Sequence, residues 1–185
     1  MTDPKPGQWT IHSERIVDDT RRAVLSIADI ELPDGVRFEQ YVLRVPAAAV
    51  VAVVDQQQRV LMLHRHRFIQ GRWVWELPGG YLDPEEDPAV CAAREVEEET
   101  GWRPGPLELL LTVEPMVGTI GQPNLLYLAD GAVDTGEAPD INEASAVRWV
   151  PLDEVEQLIA AGEIVGAGSV AALLAVLLRQ ERGQL

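Results

Sequence analysis

The stretch Gly80 to Trp102, GYLDPEEDPAVCAAREVEEETGW, constrains the fold of this chain more than any other. Asp87-Pro88 reads as a helix start: Asp caps free amides, and Pro suits the first helical position. Gly101 reads as the residue just past the end, where a left-handed conformation is needed. Between them Glu95, Glu98 and Glu99 fall at i, i+3 and i+4, so the three carboxylates share one helix face. Like charges at that spacing repel, and an isolated helix would not select them. A hard divalent cation removes the conflict, because Mg²⁺ takes carboxylate oxygens together with substrate phosphates. The spacing predicts a metal platform. A merely solvated acidic helix is the plainer alternative, but it accounts for neither the glycines nor Arg94.

The rest of the chain must supply a core for that platform. With 185 residues and 46% hydrophobic composition, one sizeable core is expected. The formal net charge of -15 disfavours general attraction to nucleic acid or to anionic membranes. A single cysteine, Cys91, excludes an internal disulfide and fits a reducing compartment. Neither a basic-then-apolar leader nor a run of membrane length is seen, so a cytoplasmic protein is expected.

From Trp9 to Val45 the pattern is β. An apolar, partly alternating run over Ala23 to Ile30 is followed by the turn Leu32-Pro33-Asp34-Gly35 and a return over Val36 to Val45. Residues 1–45 are therefore expected to form an N-terminal hairpin or small antiparallel sheet, with the main domain spanning 46–185. Ala47 to Val54 reads as a strand buried on both faces. Arg59 to His66 returns and ends in His64-Arg65-His66-Arg67-Phe68, the one compact basic cluster. Arg65 and Arg67 are candidate substrate contacts there, since arginine's planar fork suits phosphate or carboxylate. Trp73, Trp75 and Leu77 alternate with Val74 and Glu76 as a strand would, and Glu76 is expected to orient Arg67 or bind substrate. Further strands are expected over Leu107–Val113, Asn124–Ala129 and Ala146–Val150, with a Pro/Gly loop over 114–123 and an acidic loop over 130–142. Pro151-Leu152-Asp153 opens a helix, and Ser169 is expected to cap a last one over Val170–Arg179.

Gly80, Glu86, Arg94, Glu95, Val96, Glu98, Glu99, Gly101 and Trp102 fill the pattern G-x5-E-x7-R-E-U-x-E-E-x-G-U, with U a bulky apolar residue. So many fixed identities at fixed distances make a very specific signal, and the chain resembles the Nudix hydrolases. Its order of elements is similar to that of the branch of ADP-ribose and nucleoside-diphosphate-sugar pyrophosphatases. The resemblance implies an α/β/α sandwich with a mixed sheet, preceded by the N-terminal β element, which in that branch helps form a homodimer. It implies Mg²⁺, with Mn²⁺ an alternative, held by Glu95, Glu98, Glu99 and the Gly79 carbonyl. Glu86 and Arg94 then act as orienters. The catalytic base comes either from the box, with Glu98 a candidate, or from a later acidic loop, where Glu143 matches best and Asp140 less well.

Three readings follow. The first is hydrolysis of the diphosphate linkage of a nucleoside diphosphate derivative, ADP-ribose or a nucleotide sugar. The second is the same chemistry on NADH, a dinucleoside polyphosphate or a damaged nucleotide. The third is a non-catalytic sensor of such ligands, disfavoured because sensors of this type carry a degraded box and an added DNA-binding domain. Substrate identity depends on loops and pocket shape rather than on the box.

Overall fold

A computed structural model of the chain describes residues 7–138 and 144–185. Asp140 and Glu143 lie outside the described residues. The chain opens with β1 (Thr10–Asp18), β2 (Val24–Glu31) and β3 (Arg37–Arg44). Next come β4 (Ala48–Val54), β5 (Arg59–Arg67), β6 (Arg72–Glu76) and β7 (Gly79–Tyr81), ahead of α1 (Pro88–Thr100). Then follow β8 (Trp102–Pro104), β9 (Leu107–Val113), β10 (Ile120–Gly121), β11 (Asn124–Asp130), β12 (Ala132–Asp134) and β13 (Ala146–Pro151). The last elements are α2 (Leu152–Ala160) and α3 (Ala167–Glu181). The chain divides into two compact units, Met1–Pro46 with Glu114–Gln122, and Ala47–Val113 with Pro123–Leu185.

The first unit is a sheet in the order β1-β2-β3-β10. The β2–β3 hairpin turns at Gly35, whose φ of +87° suits glycine, and Asp34 accepts from the Val36 amide at 3.1 Å. Period-two alternation buries Ser26, Ala28 and Ile30 of β2. Ser26 donates its hydroxyl to Glu14 of β1 at 2.5 Å, and Arg44 of β3 forks onto the same carboxylate. The Ser26 hydroxyl, with Arg44, holds the Glu14 carboxyl below its usual range. β1 itself is exposed along its whole length. The expected hairpin is thus widened by β1 and by β10, a two-residue strand inside the expected Pro/Gly loop that runs parallel to β3.

The second unit is a mixed sheet in the order β13-β5-β4-β11-β9, with β6 paired to β5 and β7 to β4. β4 runs parallel to β11 and antiparallel to β7. Alternate residues of β4 feed opposite cores. Ala49, Val51 and Val53 join Cys91, Ala92 and Val96 of α1, whereas Ala52 and Val54 join Leu152 and Val155 of α2 and Leu173 and Val176 of α3. One helix on one face and two on the other make the α/β/α sandwich that the resemblance implies.

The sheet splits where the site lies. β4 and β5 pair only at Val54 and Val60; beyond that, β6 takes β5 and β7 takes β4. The link between β6 and β7 runs through the split, where the Val51 amide donates to the Pro78 carbonyl at 2.9 Å. Ser169 does not cap the last helix. Gly166 is the N-cap, and the buried Ser169 hydroxyl accepts from the Leu77 amide at 3.0 Å. The expected acidic loop over 130–142 also holds a strand, β12, which pairs with β8.

Candidate active site

α1 forms because its ends are well satisfied. Asp87 accepts from the amides of Ala89 and Val90, and Gly101, at φ +74°, donates to the Glu97 carbonyl. This fixes the rotation of the helix, and the three carboxylates meet three environments. Glu98 is 60% exposed, Glu95 is 14% exposed and Glu99 is turned into the fold at 3%. Glu99 accepts from the Gly79 amide at 2.8 Å and from Arg65 Nη2 at 2.5 Å. Burial of that charge is tolerable because it is both paired and hydrogen-bonded.

Arg94 organises the outer carboxylates. Its Nε and Nη2 donate to the two oxygens of Glu86 at 3.0 and 3.1 Å. Its Nη1 donates to Glu95 at 2.8 Å and to Glu98 at 2.9 Å. Glu86 also accepts from the Asp83 amide at 3.0 Å. The Arg94 guanidinium, followed by that amide, lowers the Glu86 carboxyl to about 2. Arg94 is in turn held firmly charged, first by Glu86. Cys91, behind Arg94, is inert, because burial pushes its thiol up to about 12.

The two glycines before α1 are required by close approach. A Cβ on Gly79 would stand 2.2 Å from the Ala49 carbonyl oxygen, and one on Gly80 would stand 2.3 Å from the Glu95 carboxyl carbon. Arg67 forks onto Glu76, with Nε at 3.0 and 2.9 Å and Nη2 at 2.6 Å. The Glu76 hydrogen bonds hold Arg67 firmly charged.

The strand period divides the basic cluster, a separation the run of four basic residues concealed. Arg65 pairs across from Val74 and Arg67 from Arg72, whereas His64 and His66 face Trp75 and Trp73. The His64 ring stacks on Trp73 at 5.3 Å and lies 4.7 Å from Trp75. Trp75 packs against the core of α2 and α3, and Trp73 is 53% exposed. Ser169 was legible from no local signal, since its partner Leu77 is 92 residues away in the chain.

Fold and box together define a family. The NUDIX domain profile matches residues 43–171, and the chain belongs to the Nudix family, as a pyrophosphohydrolase. It is 49% identical over 170 residues to the CMP-5'-(N-acetyl-N-hydroxy-3-aminopropyl)phosphonate hydrolase of Streptomyces rubellomurinus, covering 92% of this chain and 82% of that protein. It is 30% identical over 151 residues to an ADP-ribose pyrophosphatase of Mycobacterium tuberculosis, covering 80% of this chain and 72% of that protein. The crystal structure of an ADP compounds hydrolase, at 19% identity, matches 100% of both chains with a TM-score of 0.81, a likeness of fold.

Nudix hydrolases generally use divalent metal ions, and the donors here suit a hard one. Every candidate ligand is an oxygen, the cationic Arg94 Nη1 already bridges Glu95 and Glu98, and the missing Cβ of Gly80 leaves the Glu95 carboxylate its space. As they stand, no three His, Cys, Asp or Glu side chains among the described residues converge on one point. Arg94 holds Glu95 and Glu98, and Arg65 holds Glu99, so ligation through the same oxygens would require the arginines to release them. No helix of the described residues is long and apolar enough to cross a membrane.

Proposed function

We propose that this chain hydrolyses the diphosphate linkage of a nucleoside diphosphate derivative, ADP-ribose or a nucleotide sugar, giving a nucleoside monophosphate and a sugar phosphate. The observation that carries the reading is the gathering of Glu86, Glu95 and Glu98 on the single guanidinium of Arg94. Arg94 and Glu86 orient; Glu95, Glu98, Glu99 and the Gly79 carbonyl are the proposed ligands of Mg²⁺, or of Mn²⁺ in its place. A cation bound there supplies positive charge against the diphosphate and acidifies a water. Arg67, held by Glu76, and Arg65, held by Glu99, supply forks for substrate oxygens. Water adds to one phosphorus as the bridging P–O bond breaks. Its proton passes to a base, for which Glu143 is proposed, and the bridging oxygen leaves on the second phosphate.

A homodimer in the cytoplasm is part of the proposal, and the N-terminal sheet supports the dimer. That sheet exposes Ile11 and Ile16 at 62% and 63%, which pair with Ile30 and Ser26 and so share one face, an apolar surface that a second copy would cover. Sedimentation at micromolar protein tests this, and a monomer would end it. The Streptomyces relative favours a second substrate reading, a nucleoside monophosphate joined to an alkylphosphonate, in which the P–O–P link would be a phosphate–phosphonate anhydride.

Both readings meet in one experiment: Mg²⁺-dependent turnover of ADP-ribose, nucleotide sugars and a CMP-linked alkylphosphonate, with Glu98→Gln as control. Turnover of ADP-ribose or a nucleotide sugar that is lost in the variant supports the first reading. Turnover of the phosphonate alone supports the second. Tight binding with no turnover would point to a sensor and sink both. Glu143→Gln should cut turnover by a factor of about 100 or more with metal affinity retained; unchanged turnover would remove Glu143 as the base.

A further inference from the structure

Alongside the carboxylates, the outer face of α1 borders a groove of about 730 Å³, a size common for small-molecule sites. Arg94 and Glu98 form its near edge, so it is continuous with the diphosphate site. Its floor is Ala89, Val90 and Ala93. An exposed helix face ordinarily carries long polar side chains there; here the small residues leave a depression, with Val90 59% exposed. Arg103, Glu137 and Ala138 complete its lining, and the Arg103 backbone is fixed by the pairing of β8 with β12. Arg103 Nε and Nη2 each donate to Glu97 at 2.8 Å.

The chemistry of that lining narrows the occupant. Arg103 and Glu97 form a bidentate ion pair whose charges cancel, and Glu137 adds a further carboxylate to the lining. A cancelled pair does not select a further phosphate, but it offers N–H donors and carboxylate acceptors to hydroxyls. No aromatic side chain lines the groove among the described residues, so nothing there stacks on a nucleobase. An apolar floor beside a neutral donor–acceptor pair suits a carbon skeleton bearing hydroxyls.

We propose that this groove is the subsite for the uncharged half of the substrate, a glycosyl or short hydroxylated alkyl group on the distal phosphorus, with Ala93 and Arg103 setting its size and polarity. This rests on the hydrolytic reading above. The test compares kcat/KM for a nucleotide sugar with that for the methyl ester of ADP, which keeps the anhydride but carries only a methyl group. Ala93→Leu retains helix propensity and fills the floor; it should lower the ratio of sugar to methyl turnover at least tenfold, mainly through KM. Arg103→Ala should lower it about threefold or more. Arg148→Ala, which breaks an exposed pair with Glu154, should leave the ratio at the wild-type value. A ratio unchanged in Ala93→Leu, or equal loss on both substrates, overturns the subsite and leaves the hydrolytic reading intact. Wild-type protein that turns over neither compound overturns the nucleotide-sugar reading itself.

Discussion

Gly80 and Glu95 occupy a shared space: a Cβ added to Gly80 would stand 2.3 Å from the Glu95 carboxyl carbon and 2.4 Å from each of its oxygens. The first residue of the box is thus glycine because a later box residue rests against it. The obstacle is the far end of a flexible side chain, so the fold can absorb a methyl group while the carboxylate cannot keep its position.

Gly80→Ala is therefore expected to fold, with Tm lowered by no more than about 3 °C, while Mg²⁺-dependent turnover falls at least tenfold. Gly79→Ala meets the Ala49 backbone oxygen at 2.2 Å instead, and its Tm should fall by much more. Paired thermal melts and assays over a Mg²⁺ series separate the two; equal Tm losses would contradict the assignment.

Arg65 and Arg67 are two residues apart but should behave differently. Arg65 is 14% exposed and faces a Glu99 side chain that is 3% exposed. Arg65→Ala leaves a buried charge short of its partner and should cost about 3 kcal/mol in urea unfolding. Arg67 is 47% exposed, so Arg67→Ala should cost under about 1 kcal/mol while raising KM. Similar unfolding costs for the two would refute this division.

Ser169→Ala removes the acceptor of the buried Leu77 amide. The loss should be about 1–3 kcal/mol, with turnover reduced as well because Leu77 leads into Pro78 and Gly79. A stability unchanged from wild type would mean that the amide finds another partner.

The Glu86–Arg94 pair sets an acid limit. The folded carboxyl titrates at about 2, below its ordinary 4.5. A depressed carboxyl contributes stability above its unfolded value and loses it as pH falls through the folded one. The stability advantage of wild type over Glu86→Gln should thus be full above pH 5, shrink below about 4.5 and vanish near 2. Chemical unfolding midpoints at stepped pH measure it, and a constant difference would show that Glu86 does not titrate in this window.

Features that depend on near neighbours were legible in the sequence. The ends of α1 were legible because Asp87 and Gly101 satisfy helix amides and carbonyls within a turn. The β4 strand was legible because an unbroken apolar run must be buried on both faces. The box was legible because its chemistry sits on one helix, at spacings the helix alone fixes. Tertiary structure decided whatever joins distant segments. It turned Glu99 inward onto Gly79 and Arg65 and left Glu98 in solvent, since the rotation of α1 against the sheet, not residue spacing, sets burial. It took Ser169 from the expected cap and gave it to Leu77, because a buried amide must find an acceptor wherever packing provides one. It also drew β10 and β12 out of expected loops, since two or three residues pair only when a neighbouring strand edge is brought beside them.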